Sequence, residues 1–345
     1  MISTTRDTAR PRGARRYLAG VAGGVVGALL LAACSAPLPT AQPDPTQDPP
    51  PPVLSEAQET VVLDAVASAL AAASEANDPK QLEGRVTGPA LAIRTSQLAV
   101  AAARGNADLV TELPTEAQQV VIPTTQTWPR TSYAVSVQPE SLQTPRLSVL
   151  EQAGARDPYQ LWAWVRLLPG VTMPSFADPS IGSEAVAPDD SSLLVTPTDA
   201  VAQYADVLNL GTGSGYAESF EDDSFRTLLA ERAQAWTTAL EPAAGKYALT
   251  FTPNADEPVR SVRTADGGAL VVGAMTSQES MTAEEGAQVP PDTETIKALY
   301  GDKTPTNVLK VGYQDVVALY VPPAGSEEKI RVVGNEHVAT SVANS

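Results

Sequence analysis

Segments with helical and strand periodicity follow one another in the same order twice along this 345-residue chain. In the first half, apolar residues recur at helical spacing over 54–76 and 91–104, and strand-like alternation follows. In the second half, helical segments at 199–208 and 223–240 again precede strand-like segments. The predicted strands lie at 120–122, 133–137, around 147–149 and 162–164, and at 247–252, 259–264, 269–276, 308–321 and 329–342. Helices followed by a meander of antiparallel strands are typical of α+β folds.

Two helix starts carry capping signals. Ser55 and Gln58 have the spacing of a capping box, in which each side chain bonds the backbone N–H of the other residue. Thr198 precedes the third helical segment, so we predict it to be the N-cap residue there.

The two halves share a short phrase as well as their order of elements. Residues 133–139 read YAVSVQP, and residues 247–253 read YALTFTP. The echo and the shared order together predict an internal duplication. We therefore expect two related α+β domains, 53–170 and 198–345, joined by a Pro-rich connector over 171–197.

The N-terminus has the layout of an export signal. Five arginines lie in the first 16 residues, and an uncharged, mostly apolar run follows from Tyr17 to Ala33. The run ends in Leu31-Ala32-Ala33-Cys34, which resembles a bacterial lipobox. That resemblance implies cleavage after residue 33 and diacylation of Cys34. A diacylglycerol group supplies two chains, which is enough for stable anchoring in a membrane.

A proline-rich stretch separates this signal from the body. Residues 34–52 contain eight prolines and form the predicted linker. Such sequences favour extended, poorly packed conformations, so we predict a spacer between the lipid anchor and the folded part. The expected location is the extracytoplasmic face of the cell membrane, with attachment through Cys34.

Composition excludes several function classes. The chain has one Cys and one His, which are too few for a multi-ligand Cys/His zinc site or a disulfide, and the predicted lipidation of Cys34 leaves no free thiol for a Cys–His dyad of the usual kind. Its formal net charge is −17, so nucleic-acid phosphates would be repelled. We expect no cofactor, no metal and no nucleic-acid partner.

Three kinds of side chain remain as candidates for a site. Trp162 and Trp164 stand two apart in a predicted strand, which places them on one face if the alternation is unbroken. They either pack the core or line an apolar ligand cavity, and both readings stay open here. His337 falls in the last predicted strand, and without an identified partner it is read as an exposed or rim residue.

Acidic pairs at 189–190, 222–223 and 284–285 keep a second function class open. Two carboxylates facing each other across a cleft can hydrolyse glycosidic bonds. Asp222 and Asp223 also fit the start of a helix, where the macrodipole favours negative charge.

Several stretches of the body carry a resemblance to known proteins. They are Leu167–Gly170, Phe176–Ala177, Ala187–Asp190 and Tyr204–Leu208. Through them the chain resembles a family of uncharacterised actinobacterial lipoproteins, and the resemblance implies no established activity. The order of elements is similar to the cystatin/NTF2-like architecture, in which a curved sheet wraps N-terminal helices.

These observations predict a lipid-anchored envelope protein without catalytic activity. Its expected task is to bind a protein partner or a small apolar ligand, the latter at Trp162 and Trp164. The alternatives are a carboxylate-based hydrolase of cell-wall glycan and a passive structural spacer.

Overall fold

The computed structural model of the protein describes residues 50–138 and 143–344. The predicted signal peptide, Cys34 and nearly all of the predicted linker lie outside the described residues. The described residues form one compact unit.

Five α-helices lie in the described part of the chain. They are α1 (Glu56–Ala76), α2 (Gly88–Arg104), α3 (Pro197–Leu210), α4 (Ser224–Leu240) and α5 (Glu294–Tyr300). The predicted capping box of α1 is confirmed: Gln58 N–H donates to Ser55 Oγ at 3.3 Å, and Ser55 N–H donates to Gln58 Oε1 at 2.9 Å. Asp223 caps α4 by accepting the N–H of Arg226 at 2.9 Å.

The predicted N-cap of α3 is wrong by two residues. Thr196 is the N-cap, and its hydroxyl accepts the N–H of Asp199 at 3.1 Å. Pro197 follows as the first helical residue, a position where its missing N–H costs nothing. The hydroxyl of Thr198 instead donates to the carbonyl of Pro188 at 3.0 Å.

The strands form one continuous antiparallel sheet, with a short parallel pair beside it. They are β1 (Ala117–Val121), β2 (Pro123–Thr124), β3 (Arg130–Ser136), β4 (Arg146–Gln152), β5 (Gln160–Leu167), β6 (Ser183–Glu184), β7 (Lys246–Pro253), β8 (Arg260–Arg263), β9 (Ala269–Thr282), β10 (Val308–Val321) and β11 (Arg331–Ala343). The order across the sheet is β1-β3-β4-β5-β11-β10-β9-β7, and β8 pairs with β9 beyond the end of β7. β2 and β6 form the parallel pair.

The strand order mirrors itself about the centre of the sheet. The last strands of the two halves meet there, where Arg166 and Leu167 of β5 pair with Asn335 and Gly334 of β11. The predicted α+β class is confirmed as a mixed fold with a curled antiparallel sheet. Because the sheet is continuous, the structure does not confirm two tandem domains or an NTF2-like assignment.

The recurrent phrase falls on strands in different positions. The copy at 133–139 overlaps β3, which lies between β1 and β4, whereas the copy at 247–253 lies in β7 at the edge of the sheet. The echo therefore does not mark equivalent places in the two halves.

Three clusters of buried apolar side chains hold the unit together. The largest joins α1, α2 and β3–β5 to side chains of the second half, including Val272 and Val316. The second lies between α3, α4 and the strands β9 and β10, and the third surrounds α5. Full burial of each large apolar side chain contributes about 1.5–3 kcal/mol, so the shared first cluster ties the halves to one another.

Candidate functional site

A groove of about 410 Å³ lies between three helices above the sheet. Its walls come from α2, α4 and α5, and β10 and β11 form its floor. The lining residues are Ser96, Gln97, Val100, Leu109, Leu228, Arg232, Thr293, Thr295, Ile296, Tyr313, His337, Val338 and Ala339. A cavity of this size suits a small organic ligand.

A helix cap and an ion pair fix the position of α5 in the wall of the groove. Thr293 caps the short helix α5 by accepting the N–H of Ile296 at 3.2 Å, and Ile296 then packs into the third core cluster. An ion pair between Arg104 and Glu294 joins the end of α2 to the start of α5. On α4, the side chain of Leu228 is 54% exposed at the groove. The groove is thus lined by apolar walls with one exposed leucine.

His337 lies on the floor with an acidic partner. Its Nδ1 lies 2.5 Å from Oδ1 of the buried Asp315, which is directly opposite on β10. Its ring stacks on Tyr313 with centroids 4.0 Å apart and planes 13° apart. Because a carboxylate accepts hydrogen bonds, the neutral ring carries its proton on Nδ1 and presents a lone pair at Nε2. No described residue hydrogen-bonds Nε2.

Tyr313 and Arg232 are fixed beneath the groove by Glu279. This carboxylate is 1% exposed and accepts two bonds from Arg232, at 2.5 and 2.8 Å. It also accepts the hydroxyls of Tyr313 at 2.7 Å and Tyr247 at 2.9 Å. Burial alone would raise the pKa of Glu279, but the bonds from Arg232 and Tyr313 outweigh it and hold the pKa below its ordinary value.

The same carboxylate keeps its partners in their ordinary protonation states. Burial and the negative charge of Glu279 raise the pKa of Tyr313. Burial lowers the pKa of Arg232, but the bonds to Glu279 and the nearby Asp292 raise it by more. The phenol therefore stays neutral and the guanidinium stays charged, and the charge of Arg232 is balanced by two carboxylates.

The hydroxyl of Ser96 is bound within the protein. Ser96 is buried in the groove wall, and its Oγ donates to the carbonyl of Ala339 at 2.7 Å. It therefore makes no hydrogen bond to His337. The arrangement can hold a ligand by apolar contacts and by one hydrogen bond to His337.

The structure places the two predicted tryptophans in the core. Trp162 and Trp164 are 1% and 0% exposed and belong to the largest cluster. Trp162 Nε1 donates to Glu257 Oε2 at 2.8 Å, and the guanidinium of Arg260 lies 4.6 Å from its ring centroid. Neither tryptophan lines the groove at His337. Ligand binding at these rings stays a prediction.

A β-bulge in β5 falls at Trp162. Val149 pairs with Ala163 and Leu150 pairs with Leu161, so Trp162 is an extra residue in β5. A bulge breaks the alternation of side chains along a strand. The two-residue spacing of Trp162 and Trp164 therefore does not by itself place both rings on the same face of the sheet. Both rings nevertheless contact α2: Trp162 packs against Gly88, and the guanidinium of Arg94 lies 5.5 Å from the ring centroid of Trp164.

Two of the three acidic pairs have arginine partners. Asp190 bonds Arg263 at 2.8 Å, and Asp223 bonds Arg226 at 2.7 Å beside its capping role. Within residues 50–138 and 143–344, no cluster of three His, Cys, Asp or Glu side chains is arranged to hold a metal ion. In the same residues, no helix has the length and apolar character needed to span a membrane.

The fold and the groove define an α+β protein with a curled antiparallel sheet and an amphipathic cleft. Within this class the chain belongs to the family described as a domain of unknown function, DUF8094, whose model matches residues 50–343. It is similar to an uncharacterised lipoprotein of Streptomyces avermitilis, with 29% identity over 290 residues, 81% of this chain and 82% of the relative. The resemblance to uncharacterised actinobacterial lipoproteins is thereby confirmed. No solved structure matches the chain.

Proposed function

We propose that this protein is a lipid-anchored, extracytoplasmic envelope protein that binds a small, mostly apolar ligand in the groove at His337. The anchor is the diacylglycerol on Cys34, which follows a basic segment and an apolar run. The name of the Streptomyces relative, a lipoprotein, supports the same attachment.

The observation that carries the binding role is the groove itself. Val100, Leu109, Leu228 and Ile296 supply apolar wall, and His337 supplies a single oriented acceptor on the floor. Mostly apolar cavities with a few placed polar groups are typical of ligand sites. A ligand with an apolar body and one hydroxyl or amine donor satisfies both features.

The proposed role is binding without catalysis. A His–Asp pair activates a side-chain nucleophile only when a hydroxyl or thiol lies within hydrogen-bond reach of the free ring nitrogen. Ser96, the serine that lines the groove, is bonded to Ala339 instead. This bond supports a role for His337 in holding a ligand.

We also propose that the mirrored sheet arose by duplication of a smaller helix-and-sheet unit. Each half contributes two long helices and then a run of antiparallel strands, and each ends on a strand at the centre of the sheet. Two cystatin/NTF2-like halves joined at β5 and β11 account for this order.

Native mass spectrometry of the full-length protein, purified from its host in nanodiscs, tests the binding role. We expect a co-purifying small mass that is lost on denaturation. Leu228→Arg places a charge at the groove and should lower ligand occupancy about tenfold, the effect of roughly 1.4 kcal/mol. The matched control is Val61→Arg, at an exposed valine of α1 outside the groove. Absence of any bound mass, or equal loss in both variants, would contradict the proposal.

A further inference from the structure

The two edge strands of the sheet, β7 and β1, differ in whether their outward backbone groups are hydrogen-bonded. At one edge, Asn209 of α3 covers β7: its Nδ2 donates to the carbonyl of Phe251 at 2.9 Å, and its Oδ1 accepts the N–H of Phe251 at 2.7 Å. α3 and α4 also pack against β7. This edge is therefore closed to another strand.

At the opposite edge, β1 carries backbone groups that point away from the sheet. The carbonyl of Ile122 faces outward, because it accepts the N–H of Ser183 at 3.0 Å from outside. Backbone groups alternate in direction along a strand, so the N–H and C=O of Val120 face outward as well. No described residue hydrogen-bonds those two groups. The sequence of β1, AQQVV, holds no charge and no proline that would block an added strand.

A cavity of about 680 Å³ lies along this open edge. It is bounded by α1 on one side and by residues 176–179 on the other. Four exposed carboxylates line it, and no lysine or arginine does; the four are Glu56, Asp64, Glu116 and Asp178. Leu63 and Phe176 give it an apolar floor. The space therefore favours a positively charged chain with some apolar side chains.

We propose that β1 is a docking site for an extended, lysine- or arginine-bearing segment of a partner protein, which pairs with Val120 as an additional strand. Main-chain bonds along a sheet edge give such complexes their affinity, and side-chain pockets give specificity. The same kind of backbone pairing occurs within the protein next to the site. There β6 pairs with β2, and the carbonyls of Ile122 and Thr124 accept backbone N–H groups from the β6 segment. This interaction is independent of the groove at His337.

The charge of the site argues against two other occupants. A second copy would bring the same four carboxylates to the contact, and like charges repel. The predicted linker has eight prolines, which lack the N–H that pairing requires, and residues 35–52 contain no lysine or arginine. A basic partner segment meets neither obstacle.

The test uses the full-length protein in nanodiscs and a synthetic peptide of alternating lysine and valine. We expect binding by calorimetry and slower hydrogen exchange at the amide of Val120. A peptide N-methylated on every second residue keeps the charge but lacks the pairing donors. Its affinity should be lower by about tenfold or more, the cost of losing even one well-made hydrogen bond.

Two variants separate pairing from simple charge attraction. Val120→Pro removes the outward N–H without touching the ladder to β3, and it should lower affinity about tenfold relative to Val120→Ala. If both peptides, or both variants, bind equally, the peptide is held by charge alone and the proposal is wrong. Protection of the Val120 amide that rises with protein concentration in the absence of peptide would instead show self-association and also overturn it.

Discussion

Asp315 and His337 lie directly opposite each other on β10 and β11, and a 2.5 Å contact joins Oδ1 of the first to Nδ1 of the second. A shift of register places them there. Tyr320 pairs with Arg331, and an unbroken ladder from that pair would set Asp315 opposite Glu336. The irregularity between Ala318 and Leu319 moves the pairing by one residue, and so gives the chain's one histidine its carboxylate.

Replacing Asp315 by Asn should allow His337 to adopt both neutral tautomers. An amide both donates and accepts, so it no longer requires the ring proton to lie on Nδ1. We expect nitrogen NMR of the imidazole to show a single Nδ1–H form in the native protein and a mixture in the variant. Ligand occupancy should fall by about tenfold, because the acceptor at Nε2 is partly lost.

Asp292→Asn is the matched control for that experiment. Asp292 pairs with Arg232 at 3.1 Å, and its substitution should leave the imidazole spectrum unchanged. An unchanged tautomer in Asp315→Asn would show that Asp315 does not orient the ring.

The sequence predicted the elements well and the site poorly. Periodicity located the four long helices and the long strands, because spacing along one element is a local property. The partner of His337 is 22 residues away in the chain, and the bulge decides which residue it meets. The bulge at Trp162 has no proline or glycine beside it in the strand, and Gly334, which lies next to the bulge in β11, does not by itself specify which residue His337 meets. The groove also needs α2, α4 and α5 together, which only tertiary packing specifies.

Trp162→Ala should lower stability and leave ligand occupancy of the groove unchanged. The ring is buried against Arg260, and Gly88 approaches it so closely that a Cβ there would lie 2.7 Å from Cδ1. Removal of a core tryptophan costs about 3–5 kcal/mol of unfolding free energy. Chemical denaturation and native mass spectrometry of the same sample measure both quantities. Loss of ligand from a variant that remains folded would restore the prediction of a binding role for Trp162.

Cys34→Ala should release the protein from membranes. The thiol is the predicted site of the two acyl chains, and without them the predicted attachment is lost. Fractionation of the host followed by immunodetection distinguishes the membrane pool from the released pool. Ser35→Ala is a control that leaves the thiol in place. Retention of the Cys34 variant on the membrane would show that another feature anchors the chain.

Glu59 should make the protein less stable as the pH rises. It lies in α1 and accepts the hydroxyl of Ser132 at 3.0 Å, but its Oε2 has no hydrogen-bond partner among the described residues. Burial raises the pKa of Glu59 from 4.5 to about 7, against the opposing effect of the bond from Ser132. Between these values the folded protein keeps a proton that the unfolded chain releases, so the unfolding free energy falls by about 3 kcal/mol in all.

Glu59→Gln isolates that contribution because the amide does not titrate. The difference in unfolding free energy between the native protein and the variant cancels the other carboxylates, including Glu279, whose lowered pKa stabilises the fold at higher pH. We expect this difference to shift steadily in favour of the variant from pH 4.5 to about 7, and then to level off once the folded carboxyl is ionised. Urea denaturation across pH 4 to 8 measures it. A difference that stays constant over this range would mean that folding does not raise the pKa of Glu59.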